Sequence, residues 1–126
     1  MRVRALSVIF ATLCVSALMS SAASAVCLVT PITFNPPQND SVSTSVVITN
    51  RSSCIIRFRS FSYLVFDSVS VSSRPGSGTV NQVSAMEFRY RPKAGFKGSD
   101  RFSLRVCGKG RTNAGCSTVT YLISVN

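Results

Sequence analysis

The reactive groups in this chain are few: five cysteines, the carboxylates of Asp40, Asp67, Glu87 and Asp100, and fourteen Lys and Arg residues, with no histidine. Lack of histidine removes the usual general base and the Ser-His and Cys-His nucleophile pairs. No Ser-x-x-Lys sequence occurs, and Gly76-Ser77-Gly78 lacks the Gly-x-Ser-x-Gly frame of a nucleophile elbow. Gly108-Lys109-Gly110-Arg111 has neither the Walker spacing nor a helical continuation. Glu87 and Asp100 are a carboxylate pair of the kind that acts on glycosidic bonds. Their neighbours give each a structural task instead: Asp100 caps or braces the turn within residues 90–102, and Glu87 pairs with a strand arginine. The expectation is a non-enzymatic protein without a cofactor.

The cysteines have a second possible chemistry, metal binding. Structural zinc sites place their thiolates in close CxxC-type pairs, and Cys27, Cys54, Cys107 and Cys116 contain no such pair. An even number in a small exported chain reads as two disulfides, with three possible connectivities.

Export is indicated by the first twenty-five residues. Arg2 and Arg4 precede an apolar run from Ala5 to Met19, and Ala23-Ser24-Ala25 supplies the small-x-small pattern of a cleavage site. The run is short for a membrane span, and Ser24 and Val26 do not match a lipobox before Cys27. Residues 1–25 are therefore expected to be a signal peptide that takes Cys14 with it, and residues 26–126 a single mature domain. Removing Arg2 and Arg4 leaves twelve basic residues against four acidic ones, a net charge of +8. No further apolar segment in the mature chain has the length of a transmembrane helix.

The elements that must position these groups are strands. Apolar residues alternate with polar ones at Val42, Thr44, Val46 and Ile48, at Cys54, Ile56 and Phe58, and at Met86, Phe88 and Tyr90. The same period of two runs through Phe102, Leu104 and Val106, and through Val119, Tyr121, Ile123 and Val125. About seven short strands separated by turns predict an all-β, antiparallel sandwich of immunoglobulin-like type. Residues 108–115, rich in Gly and Asn, predict a hairpin between the last two strands. Parity then places Cys107 with Arg101, Ser103 and Arg105, and Cys116 with Thr118 and Thr120, on one outward face. That favours Cys107–Cys116 as a cross-strand disulfide. Cys27–Cys54 follows by elimination, tying the first strand to the start of a central one.

From Val69 onward the chain resembles the cadherin-like, immunoglobulin-like repeats of bacterial surface adhesins. The resemblance rests on the turn Arg74-Pro75-Gly76-Ser77-Gly78-Thr79-Val80 and on Tyr90-Arg91-Pro92-Lys93-Ala94-Gly95-Phe96-Lys97-Gly98-Ser99-Asp100-Arg101-Phe102. The second stretch matches a Tyr-x-Pro-x-x-Gly-Phe-x-Gly-x-Asp-x-Phe pattern. It implies that Tyr90 and Phe102 enter the core from consecutive strands and that Phe96 plugs one end. Pro92 would end a strand, and Gly95 and Gly98 would allow the turn. Such repeats commonly bind calcium through several acidic ligands. Residues 61–68 here hold the single carboxylate Asp67, too few for calcium.

Charge is the remaining clue to a partner. In an immunoglobulin-like arrangement the strand bearing Arg57 and Arg59 would neighbour the one bearing Arg101 and Arg105. Lys109 and Arg111 would then stand at the hairpin tip. That basic face would suit an anionic envelope glycan, a lipid or an acidic protein. Nucleic acid is disfavoured, because alternation turns the aromatics of Arg57-Phe58-Arg59 and Phe88-Arg89-Tyr90-Arg91 inward, and a stacking platform needs them exposed. The expected role is an exported binding or structural module in the periplasm or outside the bacterial cell. The alternative is a secreted inhibitor or modulator that engages one protein through its loops. An exposed edge strand leaves the oligomeric state open.

Overall fold

A computed structural model describes residues 26–49 and 52–126; the expected signal peptide lies outside these described residues. Eight strands form two sheets: β1 (Val26–Val29), β2 (Ser41–Thr49), β3 (Cys54–Arg57), β4 (Val65–Ser73), β5 (Gly78–Ser84), β6 (Glu87–Pro92), β7 (Gly98–Lys109) and β8 (Ala114–Val125). One sheet runs β1-β2-β8-β7-β4 and the other β3-β6-β5. The architecture is all-β and fits a sandwich. No α-helix occurs among the described residues, and no helix there is long and apolar enough to cross a membrane.

The expected alternation holds strand by strand. Val46 and Ile48 on β2, Cys54 and Ile56 on β3, and Phe88 and Tyr90 on β6 are buried, as are Phe102, Leu104 and Val106 on β7. Val119, Tyr121, Ile123 and Val125 of β8 complete the shared core. Period-two burial works here because each sheet has one face on the other sheet and one in water. The aromatic rings divide into two groups. Phe102 stacks between Tyr90 and Tyr121 at centroid distances of 5.6 and 4.9 Å. Phe34, Phe58 and Phe66 pack mutually at 5.6 to 6.2 Å.

Two features depart from the expected antiparallel sandwich. There are eight strands, and β2 pairs with β8 in parallel, from Ser41 opposite Thr118 to Ile48 opposite Val125. The cause lies in residues 35–40. A single 3₁₀ turn at Pro36–Gln38 ends at Asn39, which adopts a left-handed conformation with φ 53°. The Asn39 side-chain oxygen accepts from the Cys116 backbone N–H at 3.0 Å, and the Asp40 carbonyl accepts from the Thr118 N–H at 3.0 Å. The buried Ser117 hydroxyl donates to the Asp40 carboxylate. This segment is pinned to the beginning of β8, so β2 must leave it in the direction β8 already takes.

Both disulfides form as expected. Cys107 and Cys116 are direct cross-strand partners on β7 and β8, with Cα atoms 4.0 Å apart. Cys27 on β1 joins Cys54 on β3 with Cα atoms 5.5 Å apart, and so links the two sheets. Contrary to expectation, β3 is an edge strand and not a central one.

Candidate functional site

The six basic residues expected on one face, Arg57, Arg59, Arg101, Arg105, Lys109 and Arg111, occupy three separate places. Arg57 ends β3 in the three-stranded sheet, and Arg59 follows it in the connection to β4. Arg101 and Arg105 project from β7 of the other sheet, whose neighbours are β8 and β4. Arg57 is therefore on a different sheet from Arg101 and Arg105, and Arg59 is on neither, which corrects the expected juxtaposition. Residues 58–64 carry the chain from one sheet to the other, so β4, and not β3, lies beside β7. Alternation reports which side chains point outward and is silent on which sheet a strand joins.

Three of the six cations already have partners. Arg57 Nε donates to Glu87 Oε1 at 3.0 Å across the β3–β6 pair, the strand pairing expected for Glu87. Lys109 Nζ lies 3.8 Å from Asp67 Oδ1. The Arg111 guanidinium sits 4.9 Å above the Tyr63 ring centroid. Both ion pairs are exposed and individually weak. Arg89 and Arg91 join Arg57 on the outward side of the three-stranded sheet, opposite Ile55 and Thr79 in the strand registers. Their alternation with the inward Phe88 and Tyr90 placed them outward in the sequence, though not among the residues of the expected basic face.

A groove of about 920 Å³ lies beside the start of β7. The groove is lined by Ser45 of β2, Ser73 and Arg74 at the end of β4, Ser99 and Arg101 of β7, and Ser124 of β8, with apolar surface from the exposed Leu122. Arg74 was read only as part of a turn. Its proximity to Arg101 depends on strand register, which pairs Ser73 with Ser103.

Asp100 also borders this groove, yet its carboxylate is engaged with the protein. Oδ1 accepts from the Gly76 and Arg101 backbone N–H groups at 3.0 and 2.9 Å. Oδ2 accepts from the Ser77 N–H at 3.1 Å and from the Tyr90 hydroxyl at 2.8 Å. Asp100 thus braces the turn at residues 74–77 and ties it to the core. Among the described residues, neither Arg74 nor Arg101 has a carboxylate within ion-pair distance. The motif's own turn, which Asp100 was expected to cap or brace, is instead closed between β6 and β7 by the Phe96 N–H donating to the Lys93 carbonyl at 3.0 Å. There β6 ends at Pro92, Phe96 packs against the core, and Gly95 and Gly98 take φ values of 79° and 134°.

Two core tyrosines hold their protons more tightly than usual. Burial pushes the Tyr121 hydroxyl above its ordinary value. Burial likewise raises Tyr90, with further increases from its hydrogen bond to Asp100 and from that carboxylate's charge. A hydroxyl held protonated in this way is a structural donor and not a poised acid or base. Among the described residues no three His, Cys, Asp or Glu side chains gather as a metal site. No known protein family matches the chain in sequence, and no curated protein does.

Proposed function

We propose that this chain is an exported, non-enzymatic binding module of immunoglobulin-like, cadherin-like type, acting in the bacterial envelope or at the cell surface. Strand order supports the topology. In immunoglobulin domains the second, fifth and fourth strands adjoin in one sheet, and the third, sixth and seventh in the other. With β2 taken as the first strand, β3-β6-β5 and β4-β7-β8 follow that order. Two disulfides suit an oxidising compartment.

The ligand class is an anionic glycan, held in the groove between Arg74 and Arg101. The observation that carries this reading is the pairing of two guanidinium groups that lack carboxylate partners with the hydroxyls of Ser45, Ser73, Ser99 and Ser124. Guanidinium forks bind carboxylate or phosphate by paired hydrogen bonds. Serine hydroxyls both donate and accept, as sugar hydroxyls require. Leu122 is 45 % exposed at this groove and offers an apolar patch for a sugar ring.

Binding of purified protein to cell envelopes at low and high salt tests the reading. The R74Q/R101Q double variant is expected to lose at least about tenfold in affinity at low salt, since each charge-assisted contact contributes roughly 1.5–3 kcal/mol. Arg57→Gln with Arg89→Gln, on the three-stranded sheet, should leave binding within about twofold. Equal loss in both variants would indicate diffuse charge attraction, and no loss in either would remove the groove as the site.

A further inference from the structure

A second surface, at the opposite end of β7 from the groove, carries an inference beyond this reading. The connection from β3 to β4 makes a tight turn at Phe61–Leu64, and Phe61 at its edge is 80 % exposed. Tyr63 and Val65 beside it are also exposed. Large apolar side chains gathered at a protruding tip mark a contact surface more often than scattered ones do. The turn is locked: the Phe61 N–H donates to the Leu64 carbonyl at 3.0 Å, and the Leu64 N–H to the Phe61 carbonyl at 2.9 Å. Ser62 adopts the left-handed region with φ 54°. The Ser60 hydroxyl accepts from the Phe66 N–H at 3.2 Å. Phe58, which is buried, and Phe66, which is partly buried, flank the turn and pack with the partly buried Phe34. The exposed rings therefore stand on a braced base.

Cations surround this tip. Arg111 lies over the Tyr63 ring, Lys109 is opposite Val65 in the β4–β7 register, and Arg59 is two residues before Phe61. Asp67, half-exposed and 3.8 Å from Lys109, is the carboxylate on the adjoining stretch of β4. A convex aromatic tip ringed by guanidinium and ammonium groups complements the boundary of an anionic bilayer. Rings enter at headgroup depth while the cations meet lipid phosphates. A fluid surface needs no matching pocket and can cover the exposed rings beside the cavity of about 400 Å³ that Tyr63 and Arg111 help to line.

We propose that the Phe61–Val65 turn, with Arg59, Lys109 and Arg111, docks the protein on an anionic lipid surface. The surface is separate from the Arg74–Arg101 groove and does not depend on it.

The chain contains no tryptophan, so Phe61→Trp places a single reporter at the tip. The measurement is emission and co-sedimentation with vesicles of phosphatidylglycerol and phosphatidylcholine in equal parts, and with phosphatidylcholine alone. The expected result is a blue shift and sedimentation with the anionic vesicles only. Phe61→Ser should abolish sedimentation at the same lipid concentration. R59Q/R111Q, at exposed positions that spare the core, should weaken it roughly thirtyfold. R74Q/R101Q should leave it unchanged, which separates failure of this surface from failure of the groove. An unshifted tryptophan with both vesicles would overturn the proposal. So would wild-type sedimentation by Phe61→Ser, or a blue shift seen with an envelope protein fraction and absent with lipid.

Discussion

Asp100 shows how one carboxylate can determine the local structure of a surface. Its two oxygens take four hydrogen bonds, three from backbone N–H groups and one from Tyr90. Asp100→Asn keeps the shape but replaces one acceptor oxygen with an NH₂ group facing donors. The expected cost is about 2–3 kcal/mol, read as a lowered denaturant midpoint at unchanged slope. Groove binding should weaken as well, because Gly76 and Arg101 are both anchored by this side chain. The tyrosines give a pH prediction. Unfolded tyrosine loses its proton near the ordinary value of 10.0, whereas Tyr90 and Tyr121 keep theirs to higher pH in the folded protein. The folded state then binds more protons than the unfolded one, so this contribution is complete below pH 10.0 and is lost as pH rises above it. Tyr121→Phe should flatten the fall in stability between about pH 10 and pH 11.5 by about 1.4 kcal/mol per pH unit. Denaturant titrations across that range would measure it. A parallel shift without change of slope would show that Tyr121 does not hold its proton.

At the scale of elements, the two disulfides do different work. Cys27–Cys54 closes a loop with a sequence separation of 27 and joins the sheets, while Cys107–Cys116 spans a separation of 9 within one hairpin. Loop-closure entropy assigns about 3.5 kcal/mol to the longer link and about 2.7 kcal/mol to the shorter. Cys54 is also fully buried, so C27A/C54A loses packing as well as the cross-link. Chemical denaturation should therefore rank C27A/C54A below C107A/C116A, and the opposite ranking would show that the sheets hold together without their bridge. The hairpin disulfide was legible from parity, since outward residues on paired strands share a face. The parallel partnership of β2 and β8 was not. It depends on Asn39 and Asp40 meeting the backbone and side chains of residues 116–118, contacts across 77 positions that no local pattern encodes.

At the scale of the whole molecule, the basic charge is spread over both sheets and one end, and this bears on how binding should respond to salt. Eight residues of β7 separate Arg101 from Lys109, about 26 Å at the usual strand rise. That exceeds the screening length of about 8–10 Å near physiological salt. The groove and the aromatic turn should therefore act independently. Their effects on envelope binding should add when R74Q/R101Q is combined with R59Q/R111Q, to within about 0.5 kcal/mol. Strong non-additivity in a four-residue cycle would mean the two ends contact one ligand.

Burial parity, the all-β class, both disulfide partners and the Glu87 pairing were readable from residue order, whereas the turn that Asp100 braces, at residues 74–77, was not. Strand period carries the first two and the Cys107–Cys116 link, and Cys27–Cys54 followed from it by elimination. The grouping of the arginines was not readable. Arg57 and Arg101 have the same outward parity, yet sheet membership separates them. Arg74 sits in a turn with no pattern of its own, yet register sets it near Arg101. Period two records whether a side chain faces the core or the solvent. Which outward side chains become neighbours depends on crossovers and registers set by long-range contacts, and a surface site is built from those neighbours.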